Sequence, residues 1–432
     1  MTEAAPQKRS VGAFFAALEI ETRLLGMVAA LVVLWVAFDF LSGGLFLSPR
    51  NLWNLSVQSA AVAIMTCGMV LIIVSRNIDL SVGSILVFTA LVMGLLQTEW
   101  LPNTLGLGLE QPYTWLIVLV IGIGVGALIG GLHGFLVAYF GIPSFIVTLG
   151  GLLVWRGAAF GLVGGRTIAP LDSTFQLLGG GPRGSLGETM SWLVAGLAIV
   201  VIVYGLIASR RRRRRYDFPL RPVWADVTLG IAGSLAVAGG VWVANSYPWP
   251  PVLAQTYAQE HGIPIPAGGL LIPTGIAIPV LIAIGIAVGT TFLATRRRFG
   301  RYVFSIGGNP EAAELAGINT RLTILKTFVA MGMLAALAAA VTSARLNAAT
   351  NGLGSGVELQ VIAAAVIGGT SFAGGIGTIA GGVLGAVVMQ SLSSGMVLIG
   401  VPTALQDIVV GVVLVSAVGF DTVVRRRKAG VR

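Results

Sequence analysis

Ionisable side chains set inside apolar runs are the residues of this sequence whose presence calls for a chemical reason. Asp79 follows Ser75-Arg76-Asn77-Ile78 and precedes Leu80-Ser81-Val82-Gly83-Ser84. Arg156 stands between Trp155 and Gly157, and His133 lies in a glycine-rich run. Arg345 and Glu358 bracket a polar outer stretch, 346–357, and Asp407 sits beside Gln406 at the start of the last run. A charge within a membrane span is costly and faces protein interior or water. Asp79 reads either as a cap for a helix starting near Ser81 or as lining of a path. Arg156 has no acid at helical spacing, so it pairs with a distant residue or lies in a polar channel. His133 reads as a helix-to-helix hydrogen bond or as a proton relay. Gly368, Gly369, Gly374 and Gly375 make the segment 368–377 too glycine-rich for one continuous helix. Irregular backbone at membrane depth survives only where protein or a water cavity surrounds it. The segment is therefore a tight cytoplasmic turn or a broken, re-entrant element. Together with Asp79 and Arg156, these glycines form the candidate translocation path.

A second constellation is water-soluble. Between Gly300 and Gly317 the chain carries its own helix signals: Asn309 can cap, Pro310 fits the first helical position, Glu311 suits the first turn and Gly317 can close the C-terminus. Glu311 and Glu314 are three apart and share one side. A helix of one or two turns is unstable alone in water. It persists when packed against something, so the loop reads as a docking element or as an ordinary loop with a helical turn.

The sequence has no phosphate-binding loop, no HExxH, no nucleophile elbow and a single cysteine, Cys67. It holds no sign of nucleotide hydrolysis and no ladder of intramembrane carboxylates. The expectation is a chain that is not an enzyme and has no cofactor or metal of its own.

The elements that must position these residues are membrane spans. The 432 residues are 56% hydrophobic and 10% charged, with mean hydropathy +0.91. Apolar runs of roughly 20 residues, enough to cross about 30 Å of hydrocarbon, cover 24–41, 52–75, 81–97, 114–139, 144–163, 190–208, 223–245, 273–295, 322–344, 357–370, 376–399 and 403–424. This gives an all-α polytopic membrane protein of about twelve transmembrane helices. Basic residues exceed acidic ones, 27 to 17, in blocks between the runs. Lys8, Arg9 and Arg23 precede the first span; Arg210–Arg215 with Arg221, Arg296–Arg301 with Lys326, and Arg425–Lys428 follow later ones. Alternation from an inner N-terminus places all of them on the cytoplasmic side. The division expected is a cytoplasmic N-terminal segment, 1–23, a permease-like membrane domain, 24–424, with cytoplasmic loops 209–222 and 296–321, and a basic tail, 425–432. Val11, Phe14, Phe15 and Leu18 recur at helical spacing, an amphipathic surface helix or an extension of the first span. Without a folded soluble domain around the basic blocks, nucleic acid is not expected as a partner.

The loop FGRYVFSIGGNPEAAELAGIN, with IDLSVGS at 78–84, IPSFIVTL at 142–149 and VIGGTSFAGG at 366–375, resembles the ribose/xylose/arabinose family of bacterial ABC importer permeases. The spans around Arg210–Arg221, inserted into a core of about ten spans, and the Thr167-Ile168-Ala169-Pro170 stretch are most similar to xylose-type members. The resemblance implies a transport subunit carrying a pentose such as D-xylose from periplasm to cytoplasm across the bacterial inner membrane. It also implies a homodimer of permeases in membrane lipid, both termini cytoplasmic, and a periplasmic sugar-binding protein. A separate ATP-binding subunit would use ATP and Mg, docked on a coupling helix at Pro310–Ala316 that includes Asn309, Pro310, Glu311, Glu314 and Gly317. An ion-coupled secondary transporter would need the carboxylate relay that is missing. A membrane-embedded enzyme, such as a lipid-linked glycosyl transferase, would need clustered acids or a metal site at one interface.

Overall fold

The computed structural model describes residues 18–19, 21–109, 111–266 and 269–429. Val11, Phe14 and Phe15 of the expected amphipathic helix lie outside them, as does most of the segment 1–23. In chain order the main elements are α1 (Thr22–Leu41), α2 (Pro49–Val74), α3 (Val82–Leu95), α4 (Thr114–Phe140), α5 (Ser144–Val163), α6 (Gly187–Arg215), α7 (Val223–Asn245) and α8 (Pro251–His261). They continue with α9 (Ile278–Arg296), α10 (Arg298–Gly308), α11 (Pro310–Leu315), α12 (Thr320–Leu346), α13 (Val357–Ile367), α14 (Ile379–Leu398) and α15 (Thr403–Ala429). Among the described residues, ten helices are long and apolar enough to cross a membrane, and two shorter apolar ones, Val357–Ile367 and Thr403–Gly419, join them. The all-α polytopic expectation holds.

Contacts divide the chain into two compact units, Met1–Ala29 with Leu186–Ile276 and Ala30–Ser185 with Ala277–Arg432. In the first, α6 and α7 form an antiparallel pair. Gly230 faces Leu206 and Gly233 faces Ile202, while Arg210 donates to Asp226 at 2.7 Å and to the Arg221 carbonyl at 2.9 Å. The arginine run expected as loop belongs to α6, which continues to Arg215. Cationic side chains in the last turn complement the helix dipole, and so lengthen the helix rather than end it. The stretch 246–272 is likewise no plain loop, since it contains α8, opened by Pro251.

Glu19 joins the same unit: its carboxylate accepts from Arg213 at 2.6 and 2.9 Å and from Arg221 at 2.9 Å. These hydrogen bonds, from Arg213 first, hold its carboxyl down at about 2. A carboxylate lowered from 4.5 to about 2 stabilises its contacts fully above its ordinary range, and that stability is lost as pH falls through the folded value. The clamp is therefore unchanged from pH 8 to 5. Glu19→Gln should loosen it throughout that window, so that trypsin cuts after Arg213 several-fold faster at pH 8. Equal cleavage rates in the two proteins would show that the clamp holds nothing.

The second unit is built around α2, whose inner positions are buried almost without interruption from Ser59 to Val74. Ser48 caps it, accepting from the Asn51 N–H, and Pro49 starts it. Beside it α4 and α12 approach through small residues. A Cβ on Gly126 would collide with the Gly332 carbonyl, one on Gly332 with the Gly126 carbonyl, and one on Gly130 with the Phe328 carbonyl. The glycine run noted in the fourth span is thus a backbone-to-backbone seam, in keeping with small-residue packing in membranes.

Candidate functional site

Two non-helical stretches of backbone meet at one place. After α2 ends at Val74, residues 75–81 run without helix before α3 begins at Val82. After α12 ends at Leu346, residues 347–356 do the same before the 11-residue α13. Ala349 lies level with Gly94, and Gly354 lies against Gly83. This non-helical leg therefore runs back along α3 for 11 residues, about 16 Å at 1.5 Å each. The stretch 346–357, expected as an outer loop, instead folds inward, and the continuous span expected at 357–370 is a half-length helix. The reason lies in Gly83 and Gly354: a Cβ on either would strike the other chain segment, so only glycines let the two backbones touch.

The helices α3 and α13 begin where they meet, and each N-terminus has an acid beside it. Asp79 Oδ1 accepts from the Ser81 backbone N–H at 2.9 Å and from Ser81 Oγ at 2.6 Å, which is the capping alternative in substance, since negative charge is favourable at this helix end. Glu358 lies within reach of the backbone N–H groups of Gly356 and of itself. Asp79 Oδ2 and Glu358 Oε2 are buried without a hydrogen-bond partner.

His133 connects this point to its neighbours. Trp155 Nε1 lies 3.0 Å from its Nε2. An indole N–H only donates, so Nε2 accepts and the ring proton resides on Nδ1. Nδ1–H then donates to Ser81 Oγ at 3.1 Å, and Ser81 in turn donates to Asp79. The chain Trp155–His133–Ser81–Asp79 is directed throughout, and His133 serves as a bridge between α4, α5 and the start of α3.

Arg156, one residue on from Trp155, donates through Nη1 to Ser355 Oγ at 3.1 Å. Its charge also acts on the carboxylate of Glu358, a distant acid of the kind the first of the two sequence alternatives named. Asp79 and Arg156 therefore stand on either side of one junction. The glycine-rich segment makes its contacts with other elements. Residues 368–378 connect α13 to α14, with the Gly375 N–H donating to the Val74 carbonyl at 2.9 Å. Arg76 packs over Gly374 and donates to the carbonyls of Gly307 and Gly308 at 2.7 and 2.8 Å. Gly368, Gly369, Gly374 and Gly375 thus belong to the side of the molecule that carries the polar loop.

That loop contains two helices. In α10 the buried positions Gly300, Val303, Ile306 and Gly307 form one face. Asn309 caps α11, its side chain accepting from the Ala312 N–H at 3.0 Å, with Pro310 at the first position. Gly317 closes it at φ +79°. Ala313 points inward, 4% exposed, whereas Glu311 and Glu314 face out. Leu315, which the sequence reading passed over, is 91% exposed. Among the described residues no group of three or more His, Cys, Asp or Glu side chains could hold a metal.

The family described as the permease component of branched-chain amino acid transport systems matches over residues 51–418. The chain belongs to this permease family. The permease is 36% identical to the xylose transport system permease protein of Escherichia coli over 96% of both chains, and 34% identical to that of Haemophilus influenzae over 92% of this chain and 95% of the relative. It is 27% identical to the Escherichia coli galactose/methyl galactoside import permease protein over 93% and 95% of the two chains. No solved structure matches. The membrane-spanning character read from composition is that of a multi-pass permease.

Proposed function

We propose that this permease is the membrane-spanning subunit of an ATP-driven sugar importer that moves D-xylose or a related pentose inward across the bacterial inner membrane. The observation that carries this reading is the identity to xylose permeases along nearly the whole of both chains. It works with a separate cytoplasmic ATP-binding subunit, which uses ATP and Mg, and with a periplasmic sugar-binding protein. Two copies form the pathway in the lipid bilayer, and both termini face the cytoplasm. Helix α11, with Asn309 and Gly317 at its ends and Glu311, Glu314 and Leu315 outward, is the docking element. The junction between Asp79 and Arg156 borders the path, and the segment Gly368–Gly375 braces the docking loop.

Reconstitution with the ATPase and binding protein in liposomes tests the reading. D-Xylose uptake should require ATP and all three proteins. Uptake by the permease alone, driven by a proton or sodium gradient, would make it a secondary transporter.

Arg156→Gln should lower uptake about tenfold with membrane abundance unchanged, since it removes the donor to Ser355 and the positive charge that acts on Glu358. A collapse in abundance would make Arg156 only the structural partner of Glu358.

A further inference from the structure

A cavity of about 150 Å³ lies within the second unit, between α2, α12, α13 and α14. Its polar lining is Gln58, Thr342, Arg345, Gln360 and Gln390, and the rest is aliphatic or methionine. No acidic residue lines it. We propose that this cavity is a sugar-contacting station, in which the three glutamines and Arg345 take the hydroxyl groups of a neutral, hydroxyl-rich small molecule. The proposal rests on the sugar-importer reading and assigns residues to it.

The chemistry of the walls selects the ligand class. A cation would need a carboxylate, and there is none. An anion would find Arg345 but would have to accept three carboxamides that offer as many acceptors as donors. A hydroxyl group both donates and accepts, as a carboxamide does. Gln390 Nε2 donates to Gln58 Oε1 at 2.9 Å. That bond leaves the Gln58 amide hydrogens and the Gln390 carbonyl open. The Gln360 side chain and the Arg345 guanidinium have no hydrogen-bond partner among the described residues. Gln360 is half-buried and Arg345 is exposed, so both are open to a ligand or water. The size allows a small ligand: at about 10–15 Å³ of such space per water, the cavity takes roughly ten waters or a small hydroxylated molecule.

Position supplies the second argument. Gln360 lies in the first turn of α13, the half-helix whose N-terminus is seated on Gly83. Gln58 and Gln390 come from full-length spans. A ligand held by all three bridges the broken element to the spans around it.

The test uses the reconstituted complex with its ATPase and binding protein, with D-xylose and D-ribose as probes. Gln360→Leu should cut maximal D-xylose uptake about tenfold at saturating binding protein, while ATP hydrolysis stimulated by the loaded binding protein persists. Gln360→Asn, which keeps the chemistry and shifts it by one methylene, should change the ratio of D-xylose to D-ribose uptake at least threefold. Should Gln360→Leu fail to reach the membrane, the Gln360→Asn ratio decides. Robust wild-type uptake with an unchanged ratio in Gln360→Asn and full rate in Gln360→Leu would overturn the station alone. A wild-type complex that carries no pentose would overturn the sugar reading, and the station with it.

Discussion

Ala313→Pro is expected to abolish sugar-stimulated ATP hydrolysis by the proposed partner ATPase while the permease still accumulates in the membrane. The Ala313 N–H donates to the Asn309 carbonyl at 3.0 Å, the bond that closes the first turn of α11. Proline removes that donor and drives its ring toward the same carbonyl, at a cost of about 3 kcal/mol or more. A six-residue helix has no reserve against such a loss, because one or two turns depend on caps and packing. The damage stays local, since α11 lies outside the buried core of the unit. Glu314→Gln should be milder, as an exposed ion pair contributes at most about 1 kcal/mol. The measurement is ATPase rate in the reconstituted complex beside permease abundance. Normal transport by Ala313→Pro would show that α11 is not the coupling element, leaving the importer reading to rest on sequence identity.

Gly332→Leu should have the largest effect on folding. A Cβ there would meet the Gly126 carbonyl and lie 3.1 Å from the Gly130 backbone nitrogen. Neither is the tip of a flexible side chain, so two 27-residue spans must part. Overpacking costs about 1–3 kcal/mol where side chains can yield, and at least about 3 kcal/mol is expected where backbone must move. Gly124→Leu is the control, because nothing lies within 4 Å of its added Cβ. Abundance and thermal stability after detergent extraction should fall steeply for the first variant and remain near wild type for the second. Equal stability of the two would mean that the seam between α4 and α12 is not close-packed.

Most of the spans were legible because hydrophobic length is a local signal. The α11 caps were legible for the same reason: Asn309, Pro310 and Gly317 each act within three or four residues. The breaks were harder to see. Residues 346–357 look like an outer loop because they are polar, and their polarity does not reveal that Gly354 has a bare backbone at Gly83 to lean on. The partner of Arg156 lies about 200 positions away in the chain, beyond any helical spacing. Leu315 reads as a core residue until the face it occupies is known. The glutamines of the cavity come from three separate spans, each with an unremarkable amide when read alone. What escaped the sequence was always a contact between distant segments.

The seam of glycines has a mechanical consequence. Only residues 316–319 separate α11 from α12, and Asn319 pins the turn by accepting from the Leu322 N–H at 2.9 Å. Because the α4 and α12 backbones interlock carbonyl against glycine, the two spans cannot slide past one another without first separating. If α11 is the docking element proposed above, a force on it would reach α4 and α12 together rather than α12 alone, down to the far end where α12 gives way to the non-helical leg at Asn347.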